Sequence, residues 1–116
     1  MKHLFRNGTL VTATDQYAAD LLVEDGVIRA IGTDLPSEGA MVIDVSGKLL
    51  LPGAIDVHTH LEMPFGGTVS ADSYLAGTRA AACGGVTTVF DYPMQRKGHG
   101  LVETVPQRAA LCAPPA

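Results

Sequence analysis

The chain changes character at Pro52-Gly53, and this change limits its possible folds more than any other feature. Ahead of it lie short runs of strand-forming residues separated by turn dipeptides. Leu4-Phe5-Arg6 is followed by Asn7-Gly8, a strong tight-turn signal, and then by Thr9 to Thr12. From Asp20 to Glu24 the residues alternate, with Leu21 and Val23 on one side. Asp25-Gly26 then supplies the two positive-φ residues of a type I′ hairpin. Val27 to Ile31 is the return strand, ended by Gly32. Met41 to Val45 and Lys48 to Leu51 flank Ser46-Gly47. Strands this short, joined by such turns, predict a small antiparallel sheet or half of a β-sandwich over residues 1–51.

From residue 52 to 116 the pattern is that of alternating strands and helices. Ala54 to His58 is an apolar strand, and Gly66-Gly67 lies in a loop. Ser70 or Asp72 caps a helix running from about Ser73 to Cys83, with Gly84 at its C′ position. Ala76, Ala80, Ala81 and Ala82 keep that helix slim enough to pack closely on a sheet. Val86 to Asp91 is dense in β-branched residues and predicts a second strand. Leu101 to Leu111 is a weaker helix that Pro114-Pro115 cannot extend. Strand–helix–strand–helix is the opening of a parallel α/β unit. Two such units cannot close a barrel, and a parallel sheet needs both faces covered. The expectation is a mixed α/β chain that begins something larger.

Composition removes several function classes. Charged residues are 17% of the chain, and the formal net charge is −4. The basic residues, Lys2, Arg6, Arg29, Lys48, Arg79, Arg96, Lys97 and Arg108, are scattered. They form no stripe for a phosphate backbone, which argues against nucleic acid. No apolar run approaches the ~20 residues of a membrane span. Met1 to Gly8 has no apolar core of a signal peptide. Cys83 and Cys112 make no CxxC pair and are expected to be buried or partly buried free thiols in a reducing compartment. A cytoplasmic protein is the expectation.

The segment that carries chemistry is Leu51-Pro52-Gly53-Ala54-Ile55-Asp56-Val57-His58-Thr59-His60. Two histidines at i and i+2 on an extended chain point to one face, so both imidazoles can reach one metal ion. A bare HxH is short and common, and two surface histidines in a loop would account for it. Here it ends the first apolar strand, where barrels of alternating strands and helices place their catalytic groups. Metal ligation by His58 and His60 is the preferred reading. Asp56 shares the face of His58; a hydrogen-bonding role behind the ligands and a purely structural turn role are both open. Asp91 is read as a strand-end polar residue, and His3 and His99 as structural or solvated.

The motif Pro-Gly-x-Ile-Asp-x-His-x-His after a small β domain resembles the amidohydrolase superfamily. Leu61 to Thr68, Gly77-Thr78-Arg79-Ala80-Ala81-Ala82 and Gly84-Gly85-Val86-Thr87-Thr88 resemble the hydantoinases and dihydropyrimidinases within it. The stretch from Leu51 to Thr88 carries the specific part of this resemblance; the flanks are compatible with it. The resemblance implies a TIM-like barrel with a β-sandwich built from both chain ends. It also implies two divalent metals, usually zinc, bridged by a carboxylated lysine, which activate water and polarise an amide carbonyl. His58 and His60 match the first pair of ligands. The lysine, two further histidines, a proton-shuttling aspartate and an oxyanion-stabilising tyrosine lie later in the family, so this chain is expected to be inactive alone. Glu62 stands where relatives acting on anionic substrates carry a cationic or amide residue. Met63 and Phe65 resemble the apolar gate loop that receives the ring substituent; simple packing of that loop is the alternative. The implied substrate is a small cyclic amide or ureide, opened to an N-carbamoyl amino acid, and the implied assembly is a homo-oligomer, commonly a tetramer. Two other readings stay open: a non-catalytic relative of the collapsin-response-mediator kind, and a fragment with no function.

Overall fold

The computed structural model describes residues 1–95 and 97–112. The chain divides into two compact units, Met1–Pro52 and Gly53–Ala116. The expected stop at Pro114-Pro115, and the place of Arg96 among the scattered cations, lie outside the described residues.

The first unit is one five-stranded sheet. Its strands are β1 (Lys2–Val11), β2 (Gln16–Glu24), β3 (Val27–Gly32), β4 (Met41–Asp44) and β5 (Leu49–Leu50). The order is β3-β2-β1-β4, with β5 also pairing β1. The β2–β3 hairpin forms as its dipeptide dictates: Glu24 pairs Val27, and Asp25 and Gly26 take φ of 51° and 77°.

Two expectations are corrected. The sheet is mixed, because β4 and β5 run parallel to β1. Asn7-Gly8 does not reverse the chain; β1 runs straight through it as a β-bulge. Phe5 pairs Leu21 and Gly8 pairs Ala19, so Arg6 and Asn7 together face Asp20. Asn7 takes φ of 65°. Its N–H, which the bulge removes from the ladder, donates to the Asp20 carboxylate at 3.0 Å. Asp20 is buried and also accepts from the Leu35 N–H at 3.2 Å, with Arg6 Nε 3.8 Å away. A dipeptide that signals a turn in isolation was overridden by a buried acceptor placed opposite it. Leu4, Leu10, Ala19 and Val45 form the apolar core of this unit.

The second unit holds β6 (Ala54–Thr59), β7 (Pro64–Phe65), β8 (Thr68–Val69), α1 (Tyr74–Cys83), β9 (Val86–Asp91) and α2 (Leu101–Cys112). β6 and β9 pair in parallel, with α1 as the crossover between them. Gly66 and Gly67, at φ of 58° and 82°, turn the β7–β8 hairpin, where the sequence predicts a loop. The cap of α1 is Ser73, whose Oγ accepts the Ala76 N–H at 3.2 Å. Ser70 and Asp72 are not the cap: Ser70 Oγ accepts the Met63 N–H at 2.8 Å, and the Asp72 main-chain carbonyl accepts the Glu62 N–H at 2.9 Å. At the other end Gly84 is still right-handed and Gly85, at φ of 84°, is the left-handed residue. Both cysteines are exposed free thiols, not buried ones. No helix among the described residues is long and apolar enough to cross a membrane.

Candidate metal centre

The end of β6 is where the site begins. Against β9, Asp56 pairs Val89 and Thr59 pairs Asp91, so three steps on β6 match two on β9. The extra residue leaves an N–H without a ladder partner, and the Asp56 carboxylate accepts it from His58 at 3.0 Å. Bulges of this kind re-aim a side chain at a strand end. Asp56 therefore meets His58 through the main chain.

With that bulge in place, His58 Nε2 and His60 Nε2 lie 3.1 Å apart. The His60 ring is turned the right way for this by its other nitrogen, because Nδ1 is 3.2 Å from the Tyr92 carbonyl. A carbonyl only accepts, so Nδ1 carries the proton and Nε2 keeps its lone pair. The Tyr92 ring stacks on His58 at 4.5 Å between centroids and 29° between planes. Two nitrogens held about 2.0–2.1 Å from one zinc ion at a tetrahedral angle stand roughly 3.3 Å apart. The observed separation and the free Nε2 of His60 fit a shared metal. Both histidines are exposed. No group of three or more His, Cys, Asp or Glu gathers as a metal site among the described residues.

The loop after His60 is fixed from below. Asp91 Oδ1 accepts the Leu61 N–H at 2.9 Å, and Oδ2 accepts the Tyr74 hydroxyl at 2.5 Å. Arg108, on α2, donates Nε to Asp91 Oδ2 at 2.5 Å and Nη2 to Oδ1 at 3.1 Å. The same guanidinium donates to the carbonyls of Leu61 and Glu62 and lies over the Tyr74 ring. Burial works against the charge on Asp91, but hydrogen bonds from Arg108, Tyr74 and Leu61 outweigh it and hold the carboxyl below its usual range. Burial and the bond to Asp91 push the Tyr74 hydroxyl far up. Asp91 is thus a strand-end polar residue, as expected, and also the centre of a buried network. Against α1, a methyl placed on Gly77 would meet Leu61 Cδ2 at 2.4 Å, so the slim face of the helix seats the same loop.

Met63 borders a cleft of about 320 Å³ with Pro93, Met94, His99, Glu103 and Leu111. Phe65, on β7, does not line it and is 69% exposed. His99 faces Glu103 at 3.1 Å, and His3 lies beside Phe5 in the other unit. Sequence reasoning missed Tyr92 and Arg108. Tyr92 follows β9 directly, so the rule that strand ends carry site residues could have found it; Arg108, one cation on a weak helix, gave no signal.

A model of the amidohydrolase family matches residues 49–113. The chain belongs to the amidohydrolase family. This amidohydrolase segment is 53% identical over 105 residues to the D-hydantoinase of Geobacillus stearothermophilus, covering 90% of the chain and 22% of that protein. It is 46% identical over 105 residues to the dihydropyrimidinase of Rattus norvegicus, covering 86% of the chain and 20% of the relative. The crystal structure of the dihydropyrimidinase from Brevibacillus agri NCHU1002 matches with a TM-score of 0.92 at 49% identity, over 96% of this chain and 24% of that one. The amidohydrolase chain therefore spans about a fifth to a quarter of the length of the relatives it matches.

Proposed function

We propose that this chain supplies the first two metal ligands of a cyclic-amide hydrolase of the hydantoinase and dihydropyrimidinase kind. The observation that carries the reading is the 3.1 Å approach of His58 Nε2 to His60 Nε2, with His60 Nδ1 anchored on the Tyr92 carbonyl. In this reading the first unit is part of a β-sandwich and the second is the opening of a TIM-like barrel. The reaction adds water across a ring amide of a hydantoin or dihydropyrimidine. The hydroxyl goes to the carbonyl carbon, the proton goes to the ring nitrogen, and the C–N bond between them breaks to leave an N-carbamoyl amino acid.

A divalent metal, zinc by resemblance, supplies Lewis-acid polarisation of the amide carbonyl when bound. His58 and His60 would hold it through Nε2. Tyr92 keeps the tautomer of His60, and Asp56 keeps the bulge that aims His58. Met63 and Phe65 would contact the ring substituent. Two histidines alone make an incomplete site, so the 116-residue chain is inactive without further ligands.

Equilibrium dialysis of the chain against Zn²⁺ tests this. The expected result is one bound ion per chain, lost in both His58→Ala and His60→Ala. Zinc retained in both variants overturns the assignment.

A further inference from the structure

We propose that Arg108 is a positioning residue for the metal site: through Asp91 and the main chain of Leu61 and Glu62, it sets where His60 stands. This rests on the reading of His58 and His60 as metal ligands.

His60 lies one residue beyond the last residue of β6. The sheet's main-chain pairing still reaches the Thr59 carbonyl, which accepts the Tyr92 N–H at 3.1 Å. Beyond it the chain leaves the sheet, so other groups must hold it. Leu61 and Glu62 have four main-chain polar groups between them. Three are bonded by the Asp91 and Arg108 side chains, and the fourth, the Glu62 N–H, donates to the Asp72 carbonyl. Glu62 also sits at φ of 49°, a conformation that non-glycine residues hold only when their surroundings enforce it.

The clamp is built from distant parts of the unit. Asp91 ends β9, Tyr74 opens α1 and Arg108 lies on α2. The Arg108 and Asp91 side chains are only 11% and 9% exposed. A buried ion pair adds little net stability beyond what apolar packing of the same volume would give. A bidentate guanidinium fork does add direction, because its donors are rigid and coplanar. Here the fork grips Asp91 on one edge and points the remaining N–H groups at the two carbonyls after His60. Tyr92, next to Asp91, holds the His60 ring from the other side. His60 is therefore fixed at its ring by Tyr92 and through the following residue by Asp91 and Arg108.

The test uses the full chain and Zn²⁺ alone, with Arg108→Lys, Tyr74→Phe and His60→Ala. Lysine keeps a cation for Asp91 but has no fork to reach both carbonyls. The expected result for Arg108→Lys is zinc affinity lower by about tenfold or more, with unchanged far-ultraviolet circular dichroism. Tyr74→Phe removes a donor to Asp91 but none to the loop, and it should keep wild-type affinity. Electron paramagnetic resonance of bound Cu²⁺ should show two imidazole nitrogens in wild type and one in Arg108→Lys. If Arg108→Lys loses helix content, Asp91→Asn with Arg108→Gln repeats the test without an uncompensated buried charge. Wild-type affinity in Arg108→Lys overturns the proposal. So does an equal loss in Tyr74→Phe, because affinity would then follow stability alone. Failure of the ligand reading shows up separately, as His60→Ala binding zinc like wild type.

Discussion

The carbonyl of Tyr92 accepts a hydrogen bond from His60 Nδ1–H, and this one contact decides which nitrogen of that ring keeps its lone pair. A main-chain acceptor just past β9 thus sets the tautomer of a side chain just past the neighbouring strand β6. The same pairing of β6 with β9 places Asp91 under Leu61. Ring orientation and loop position therefore share one origin, the register of two parallel strands.

Ring opening by the chain alone should be absent. With two histidines and no third ligand gathered beside them among the described residues, nothing completes a hydrolytic metal site. Hydantoin and 5,6-dihydrouracil should be consumed by the purified chain with added Zn²⁺ no faster than by His58→Ala. Any turnover above that control contradicts the expectation.

Self-association is expected at working concentrations. Ile55, Val57, Phe90 and Val102 of the second unit are each more than half exposed, as are Val27, Ile28 and Met41 of the first. Apolar surface on this scale, with unpaired strand edges, drives chains together. Sedimentation velocity should show a concentration-dependent mass. A single monomer species across the concentration range contradicts this.

Acid should weaken the second unit through Asp91. Its folded carboxyl lies below the usual range, against an unfolded value of about 3.9. The folded pKa is the lower one, so the unfolded chain binds the proton first. The stabilisation is then complete above the unfolded value and is lost as pH falls from about 5 through the folded value. Asp91→Asn should flatten this part of the profile. It should also cost about 3–5 kcal/mol at neutral pH, because Arg108 is left buried without its counter-charge. Urea titrations followed by circular dichroism from pH 7 to 2 supply the measurement, and the same acid slope in both proteins rules Asp91 out as its source.

Met63 and Phe65 should tune which ring substituent is accepted rather than the chemical step. Neither side chain ligates a hard metal or carries a proton at neutral pH. Apolar contact separates substrates by about 1–3 kcal/mol per methylene-sized group. The experiment places this segment in an active hydantoinase and compares kcat/KM for hydantoin, 5,6-dihydrouracil and 5-substituted hydantoins. Met63→Ala, on the wall of the cleft, and Phe65→Ala, at the exposed hairpin, should each change the ratios between substrates at constant metal content. A uniform fall for all substrates marks the loop as packing only.

Local sequence determined the elements whose causes are local. Asp25-Gly26 made its hairpin because two consecutive residues tolerate positive φ, and the small residues of α1 made a helix that packs closely. The pairing of His58 with His60 was legible because a two-residue spacing puts both rings on one face of an extended chain; the bulge held by Asp56 and the Tyr92 carbonyl then set their close approach. Tertiary structure decided what depends on partners far along the chain. Asn7-Gly8 became a bulge rather than a turn because the Asp20 carboxylate stands opposite to accept its N–H. β4 and β5 run parallel to β1, paired with residues about forty positions earlier, a choice no dipeptide encodes. Ser73 rather than Ser70 or Asp72 caps α1: its Oγ reaches the Ala76 N–H, while Ser70 Oγ is held by the Met63 N–H of the loop after His60. Arg108 entered the site from 48 positions after His60, beyond one helix and three strands. A buried carboxylate and two unpaired carbonyls called for a fork of donors, and only the folded chain brings one to them.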